Sequence, residues 1–366
     1  MRALVWHGGD RLSLEELVEP ERADGQVLFD VGLAGICGSD LHPYRGHPGP
    51  RRPPLVLGHE AVGTVAGRPG RFALFPLVAC GACHACARGE TQLCERRGLV
   101  GLDRQGVFAE RIAVDEDALV PVPDGLDDRL AALVEPLAAS VSALRLEGVE
   151  SSDTVVILGG GPLGLLGVHA AARLGARVLA VEPLPRRREL AVRLGADEAF
   201  ADAADVPAGS ADVAIDAVGI EPTWRGGIAA VRSGGSVCVI GLGQAEGGIP
   251  MGDLVRRGVA VRGHYAYSRS DFVAAVDLLA QAPPPLDWID VVALDQAAEG
   301  FRRLVEEPDS VTKVLVDMDL AADRVRSNRV QSASFCESDV RSFKRSARVD
   351  GGGTSMTMEV APGAVS

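Results

Sequence analysis

The stretch Val155-Val156-Ile157-Leu158-Gly159-Gly160-Gly161-Pro162-Leu163-Gly164 decides the fold. A run of apolar residues typical of a buried strand leads into glycines spaced G-x-G-x-x-G at Gly159, Gly161 and Gly164. The first glycine permits a tight turn, the second lets the backbone approach a pyrophosphate, and the third allows close helix packing. Free N–H groups at the start of the helix attract the anion. The stretch therefore predicts a strand, turn and helix that bind a dinucleotide.

Residues beyond this turn continue the alternation of strands and helices. Apolar strand candidates occupy residues 178–181, 213–217, 237–240 and 259–262, and helical patterns occupy residues 163–174, 185–194 and 271–279. Such alternation predicts a parallel doubly wound sheet of six strands, a Rossmann domain of the α/β class, over residues 141–285.

The rest of the chain has a different texture. Residues 1–140 are rich in Gly and Pro, with short strand-like runs at 27–31 and 61–65, and predict an irregular β domain. Beyond the prolines at 283–285, a helix-like segment at 296–306 and a strand at 311–316 have no place left in the parallel sheet. We assign residues 286–318 to the first domain by chain return. The serine-rich tail, residues 319–366, is predicted to be disordered.

An acidic residue ends the second predicted strand of the Rossmann domain. Glu182 lies where a carboxylate accepts hydrogen bonds from the adenosine ribose hydroxyls. The same charge repels a 2′-phosphate, so Glu182 favours NAD over NADP. The arginines that follow, among which Arg187 is our candidate, offer an alternative in which a phosphate is accepted. We expect NAD as the cofactor, with NADP as the alternative.

Four of the seven cysteines lie close together, at Cys80, Cys83, Cys86 and Cys94. Short C-x2-C spacings let four sulfurs converge on one ion, and four thiolates around tetrahedral zinc leave no position open. The pattern predicts a structural zinc site in a lobe at residues 80–94, with an iron–sulfur cluster as the alternative. In a reducing cytoplasm, crowded thiols of this kind indicate metal binding.

A second set of metal-ligating residues is spread more widely. It contains Cys37, the adjacent pair His59 and Glu60, and Glu135, which precedes a proline. One thiolate, one imidazole and one carboxylate make a three-ligand zinc site with a position open for water or substrate. We therefore expect two zinc ions per chain, one structural and one catalytic.

Taken together, the motifs resemble the medium-chain zinc-dependent alcohol dehydrogenases, and within them the polyol, threonine and sugar dehydrogenases. The resemblance covers about residues 1–318 and rests on Gly35-Ile36-Cys37-Gly38-Ser39-Asp40-Leu41-His42, Gly58-His59-Glu60, the four-cysteine lobe, Glu135-Pro136 and the nucleotide turn, in that order. It implies a GroES-like β domain beside the Rossmann domain. It also implies that Cys37 and His59 ligate catalytic zinc, with either Glu60 or Glu135 as the third protein ligand.

The resemblance also bears on the substrate. Ethanol-type members have a cysteine where Glu135 stands, whereas polyol-type members have a glutamate, which implies a secondary alcohol of a polyol, sugar or cyclitol. A threonine-type amino alcohol is the alternative within the family, and a catalytically silent protein that binds zinc and dinucleotide is the alternative of another class. The basic loop after Cys37 either meets an anionic substrate group or is solvated surface; its residues are Arg45, His47, Arg51 and Arg52.

The expected reaction moves a hydride between the alcohol carbon and the nicotinamide, with zinc as the Lewis acid that makes the hydroxyl acidic. Ser39, two residues after Cys37, is the candidate acceptor of the hydroxyl proton. The proton would then pass toward solvent through the nicotinamide ribose or through His42. Both side chains are therefore candidate catalytic residues.

Composition limits the partners and the location. The net charge of −13, with only two lysines, argues against nucleic acid. No apolar run approaches the roughly 20 residues of a membrane span, and residues 1–7 lack the apolar run of a signal peptide. We expect a cytoplasmic enzyme that acts on small molecules as a homodimer or homotetramer. The segment between Val65 and Phe75 is shorter than in the family and predicts a trimmed loop.

Overall fold

The computed structural model describes residues 1–320 of the chain. Its N-terminal part is built from short strands: β1 (Arg2–Trp6), β2 (Leu12–Glu16), β3 (Gln26–Gly35), β4 (Leu55–Val56), β5 (Glu60–Val65), β6 (Arg71–Leu74), β7 (Leu77–Val78), β8 (Gly98–Leu99), β9 (Arg111–Asp115) and β10 (Leu119–Val122). The helices among them are α1 (Gly38–Tyr44), α2 (His84–Ala87), α3 (Asp128–Ala131) and α4 (Val134–Leu146). The stretch after Val65 forms a turn of residues 66–70 between β5 and β6.

The parallel-sheet part follows from residue 154. Its elements alternate as β11 (Thr154–Leu158), α5 (Pro162–Arg173), β12 (Arg177–Val181), α6 (Pro185–Leu194), β13 (Glu198–Phe200), β14 (Ala211–Asp216), α7 (Glu221–Ala230), β15 (Val231–Val239), α8 (Met251–Arg257), β16 (Ala260–Gly263) and α9 (Arg269–Gln281). The strand order is β13-β12-β11-β14-β15-β16, and all neighbours are parallel. The predicted α/β class and doubly wound sheet are confirmed.

Parallel strands place their carboxyl ends at one edge of the sheet. The glycine turn after β11, Asp216 at the end of β14 and the loop of residues 264–268 after β16 therefore share that edge. This is the edge at which open α/β sheets bind their ligands.

The end of the described chain returns to the N-terminal sheet. It contains β17 (Ile289–Ala293), α10 (Ala297–Glu306) and β18 (Lys313–Asp317). β18 pairs parallel with β17 and antiparallel with β3, so the seven-stranded sheet has the order β10-β6-β5-β3-β18-β17, with β9 also on β3. Lys313 is thereby brought next to β3 although it lies far from it in sequence.

An apolar core runs through both parts of the described chain. One buried cluster includes Leu33 and Val62 from the N-terminal sheet, Leu137 from α4, and Val155 and Ile157 from the parallel sheet. Because this core is continuous, contacts do not divide residues 1–320, and the domain boundaries at 140 and 285 stay predictions. The prediction for the tail concerns residues that lie almost entirely outside the described range.

Strand β16 lies at the end of the parallel sheet, and all four of its residues are exposed. The homodimer or homotetramer stays a prediction. Within residues 1–320, no helix combines the length and apolar character needed to span a bilayer.

Candidate functional site

Strand pairing brings the second set of metal-ligating residues together. β3 and β5 are antiparallel and Gly35 pairs with Glu60, so the end of β3 lies beside the start of β5. Cys37 follows β3 as the N-cap of α1, and His59 immediately precedes β5. The ligand atoms of Cys37, His59 and Glu60 lie within 4.8 Å of one another. Residues 22 positions apart in sequence thus form one cluster.

The cluster fits a metal ion on two grounds. Among residues 1–320, the buried atoms Ser39 Oγ, His59 Nδ1 and Glu60 Oε1 have no hydrogen-bond partner, whereas buried polar atoms are nearly always paired. Burial disfavours a charged imidazole, but Asp40 and Cys37 outweigh it and raise the pKa of His59 well above its usual range. A site that attracts positive charge in this way suits zinc, and the donor set is one that zinc prefers.

Asp40, which was not predicted as a site residue, hydrogen-bonds the backbone on both sides of this cluster. It is fully buried and accepts hydrogen bonds from Cys37 N at 3.1 Å and Gly58 N at 3.3 Å. Its Oδ1 lies 3.7 Å from His59 Nδ1, which is too far for a hydrogen bond but close enough to attract a charged imidazole. Asp40 lies three residues after Cys37, a spacing at which an acidic side chain can bond the backbone of the helix N-cap. This spacing could have identified Asp40 from the sequence.

Glu60 is held by a lysine that the sequence reasoning did not connect with the site. Lys313 Nζ on β18 donates to Glu60 Oε2 and, at 3.0 Å, to Ile36 O, and both charged side chains are about 1% exposed. The pair occupies the space beside Gly35, where a Cβ would overlap Glu60 Oε2. In the cluster, Oε2 of Glu60 is therefore bonded to Lys313, and Oε1 has no hydrogen-bond partner in the described part of the chain.

Glu135 opens α4 and is held by a tyrosine. Tyr267, in the loop after β16, donates its hydroxyl to Glu135 Oε1 at 2.6 Å. Burial raises the pKa of Glu135, and Glu60 adds to the rise, while His59 and Tyr267 oppose it. Glu135 is not among the three residues that converge, so this arrangement favours Glu60 as the third ligand.

The candidate proton relay lies on α1, directly after Cys37. Ser39 Oγ is buried, and His42 is partly buried in the last turn of the helix. Burial, with Arg51 and Arg45 nearby, lowers the pKa of His42. Their catalytic roles stay predictions.

The basic loop after α1 is only partly a surface loop. Arg45, His47 and Arg52 are exposed, but Arg51 is about 5% exposed. Arg51 donates to Gly101 O at 3.2 Å and lies 3.9 Å from Asp40. Arg51 is therefore not solvated surface, whereas a contact between the basic loop and the substrate stays a prediction.

The four cysteines of the lobe converge as predicted from their spacing. Their Sγ atoms are separated by 3.5 Å between Cys83 and Cys86, 3.8 Å between Cys83 and Cys94, and 3.9 Å between Cys80 and Cys86. Tetrahedral zinc with Zn–S bonds of about 2.3 Å requires sulfurs about 3.8 Å apart. The backbone N–H of Ala82 and the guanidinium of Arg96 lower the pKa of Cys80 to about 5, which favours the thiolate that zinc binds.

The nucleotide turn has the geometry that its glycines predict. Gly159 has φ +103°, and a Cβ on Gly164 would overlap Gly159 O, so this helix packs directly on the turn. Gly161 is the N-cap of α5, with Pro162 and Leu163 as its first residues. Gly159 and Gly164 thus leave no room for a side chain, whereas Gly161 has open space beside it.

Glu182 is fixed beside this turn. Its Oε2 accepts from Gly160 N at 2.6 Å and its Oε1 from Leu184 N at 3.0 Å. Arg187, in contrast, donates through Nη2 to Val311 O at 3.2 Å and therefore contacts the returning chain. Its assignment to the nucleotide site stays a prediction.

Known proteins share this architecture. A family model described as Alcohol dehydrogenase GroES-like domain matches residues 23–124, and one described as Zinc-binding dehydrogenase matches residues 162–281. The (R,R)-butanediol dehydrogenase of Bacillus subtilis is 31% identical, with 86% of this chain and 99% of that protein covered. The chain belongs to the zinc-dependent medium-chain dehydrogenases. The predicted family and the GroES-like and Rossmann architecture are confirmed.

Other medium-chain dehydrogenases show the range of the family. A sorbitol dehydrogenase of Bacillus subtilis is 29% identical, covering 86% of this chain and 97% of that protein. The structure of a zinc-binding dehydrogenase from Sinorhizobium meliloti bound to NADP has a TM-score of 0.78 and 30% identity, covering 87% of this chain and 99% of that one. Relatives of similar identity thus act on different alcohols, and one of them was solved with NADP bound.

Proposed function

We propose that this medium-chain dehydrogenase oxidises a secondary hydroxyl of a polyol, sugar or cyclitol with NAD as hydride acceptor, and that it holds two zinc ions per chain. The observation that supports the proposal most is the convergence of Cys37, His59 and Glu60 around unpaired buried polar atoms. Cys80, Cys83, Cys86 and Cys94 would hold the second ion, with no position left for a substrate.

The residues of the site divide the work of the reaction. Zinc supplies Lewis acidity, which makes a hydroxyl acidic near neutral pH. Ser39 Oγ, which has no hydrogen-bond partner in the described part of the chain, would accept the hydroxyl proton while it passes its own hydroxyl proton on to His42. His42 then carries it toward solvent. A dinucleotide bound at the glycine turn, at the carboxyl edge of the parallel sheet, would supply the hydride acceptor.

A polyol substrate can be tested by a panel of alcohols. With two zinc ions bound, we expect kcat/KM for NAD reduction to be about 10-fold or more higher with open or cyclic polyols than with ethanol or threonine, because paired hydroxyls meet a polar site. Each polyol is assayed with and without a phosphate group. Higher activity with threonine would support the amino-alcohol alternative. No reduction by any alcohol would indicate a silent binding protein.

Selection of NAD by Glu182 is a separate prediction. Glu182→Ala should lower the kcat/KM ratio of NAD to NADP by about 10-fold or more, because a hydrogen bond to a charged group contributes about 1.5–3 kcal/mol and the repulsion of a 2′-phosphate is removed. Steady-state kinetics with both nucleotides measure the ratio. Glu198→Ala, an exposed acid on the neighbouring strand that pairs with Arg177, is the control. An unchanged ratio in the Glu182 variant would contradict the assignment.

The expected setting of the enzyme follows from its thiols. We place it in the cytoplasm, because the cysteines of the lobe bind zinc only while reduced. The net charge of −13 is unfavourable for nucleic acid, so small molecules are the expected partners.

A further inference from the structure

The two glutamates beside the metal site are held in the same manner. Lys313 takes one oxygen of Glu60, and Tyr267 takes one oxygen of Glu135. In each case the donor comes from a distant part of the chain, but Glu60 lies in the cluster with Cys37 and His59, whereas Glu135 lies outside it. The positions of Lys313 and Tyr267 therefore help to determine which glutamate reaches a metal ion.

Tyr267 is oriented by its packing as well as by its hydrogen bond. Its ring lies 5.8 Å from the ring of Phe75 in an edge-on arrangement and 5.8 Å from the ring of Phe272. The side chain is about 1% exposed. These contacts leave the hydroxyl little freedom, so it points steadily at Glu135 Oε1.

The loop that carries Tyr267 lies at the edge of the parallel sheet where the dinucleotide is expected to bind. It contacts α4 at two points. Residues 264–268 follow β16, on the same edge as the glycine turn. Tyr267 contacts Glu135 at the start of α4, and His264 Nε2 lies 2.9 Å from Ser142 Oγ further along that helix. Between them, Ala266 has φ +55° and is the one non-glycine residue with positive φ within residues 1–320. Such unfavourable backbone persists where the surroundings fix it, often at functional sites.

We infer that Tyr267 is a positioning residue that keeps Glu135 off the metal, so that Glu60 completes the set of protein ligands. The inference rests on the proposed function, since it concerns the same zinc site. Through Tyr267, the loop of residues 264–268 at the dinucleotide edge contacts Glu135 beside the metal site. A family pattern of ligands does not by itself identify this residue, because the tyrosine is neither a ligand nor near one in sequence.

The test uses the full chain with cobalt in place of zinc at the Cys37 site. In Tyr267→Phe the ring packing is kept and the hydroxyl is lost, so Glu135 is free to join the metal. The visible absorption of cobalt should weaken and shift, as it does when the coordination number rises, and kcat should fall about 10-fold. The absorption of lobe-bound cobalt, measured in Cys37→Ser, is subtracted.

Two further variants separate positioning from a structural effect. Tyr265→Phe removes a hydroxyl from the same loop but keeps the contact of that ring with Arg97, and should leave the spectrum unchanged. In a Glu135→Ala background, Tyr267→Phe should have no additional effect on the spectrum. An unchanged spectrum in Tyr267→Phe, or an equal change when Glu135 is absent, would overturn the inference. Failure of the Cys37 site to bind cobalt at all would instead count against the proposed function.

Discussion

Cys37→Ser is expected to remove one of the two zinc ions and to lower kcat/KM about 10³-fold, while the fold is retained. A hydroxyl in place of the thiolate is a poor ligand for zinc, so the site formed with His59 and Glu60 should empty. Lewis acidity contributes several kcal/mol to transition-state stabilisation, and each 1.4 kcal/mol is about tenfold in rate. The four-thiolate lobe is separate and should keep its ion.

Zinc content by elemental analysis, NAD reduction and circular dichroism measure the three parts of this result. Cys238→Ala is the matched control, because Cys238 is a buried cysteine on β15 whose pKa is raised to about 12 by burial and which belongs to neither metal set. It should keep two zinc ions and full activity. Two zinc ions and undiminished activity in Cys37→Ser would show that the cluster is not the catalytic metal site.

Lys313→Met is expected to destabilise the zinc-depleted protein by about 3–5 kcal/mol, because it leaves the buried carboxylate of Glu60 without its cation. Methionine has a similar length, so loss of packing is small. With zinc bound, the metal offers Glu60 another positive charge, and the loss should be smaller. The difference between the two states is what identifies Glu60 as a metal ligand.

Urea denaturation of both proteins, with zinc and after chelation, measures this difference. The double variant Lys313→Met/Glu60→Gln removes both charges and should recover much of the lost stability in the zinc-depleted state. If Lys313→Met lowers the free energy of unfolding equally with and without zinc, then Glu60 does not interact with the ion. In that case Lys313 has a structural role only.

Site residues could be predicted from the sequence where the residues of a motif lie close together in the chain. The glycines of the nucleotide turn and the cysteines of the lobe lie within a few residues of one another, so local geometry determines their meaning. Helix α6 was predicted with the observed bounds, because a proline starts it and a glycine follows it. The pairing of Cys37 with His59 needed the resemblance, since it depends on the register between β3 and β5.

The parts that were missed depend on contacts between distant segments. Lys313 reaches Glu60 only because β18 inserts beside β3, and no periodicity in the sequence specifies that neighbour. Tyr267 similarly reaches Glu135 through the packing of its loop on α4. Helix α7 was not predicted because its sequence includes two glycines, which weaken the helical pattern, whereas in the fold Gly227 packs against the strands beneath.

The burial of Lys313 has a practical consequence for handling the protein. Lys313 and Lys344 are the two lysines of the chain, and Lys313 is enclosed with Glu60. Reagents that acylate lysine amines therefore find no exposed lysine side chain in residues 1–320. Coupling of dyes or solid supports through lysine should therefore leave Lys313 and both metal sites unmodified.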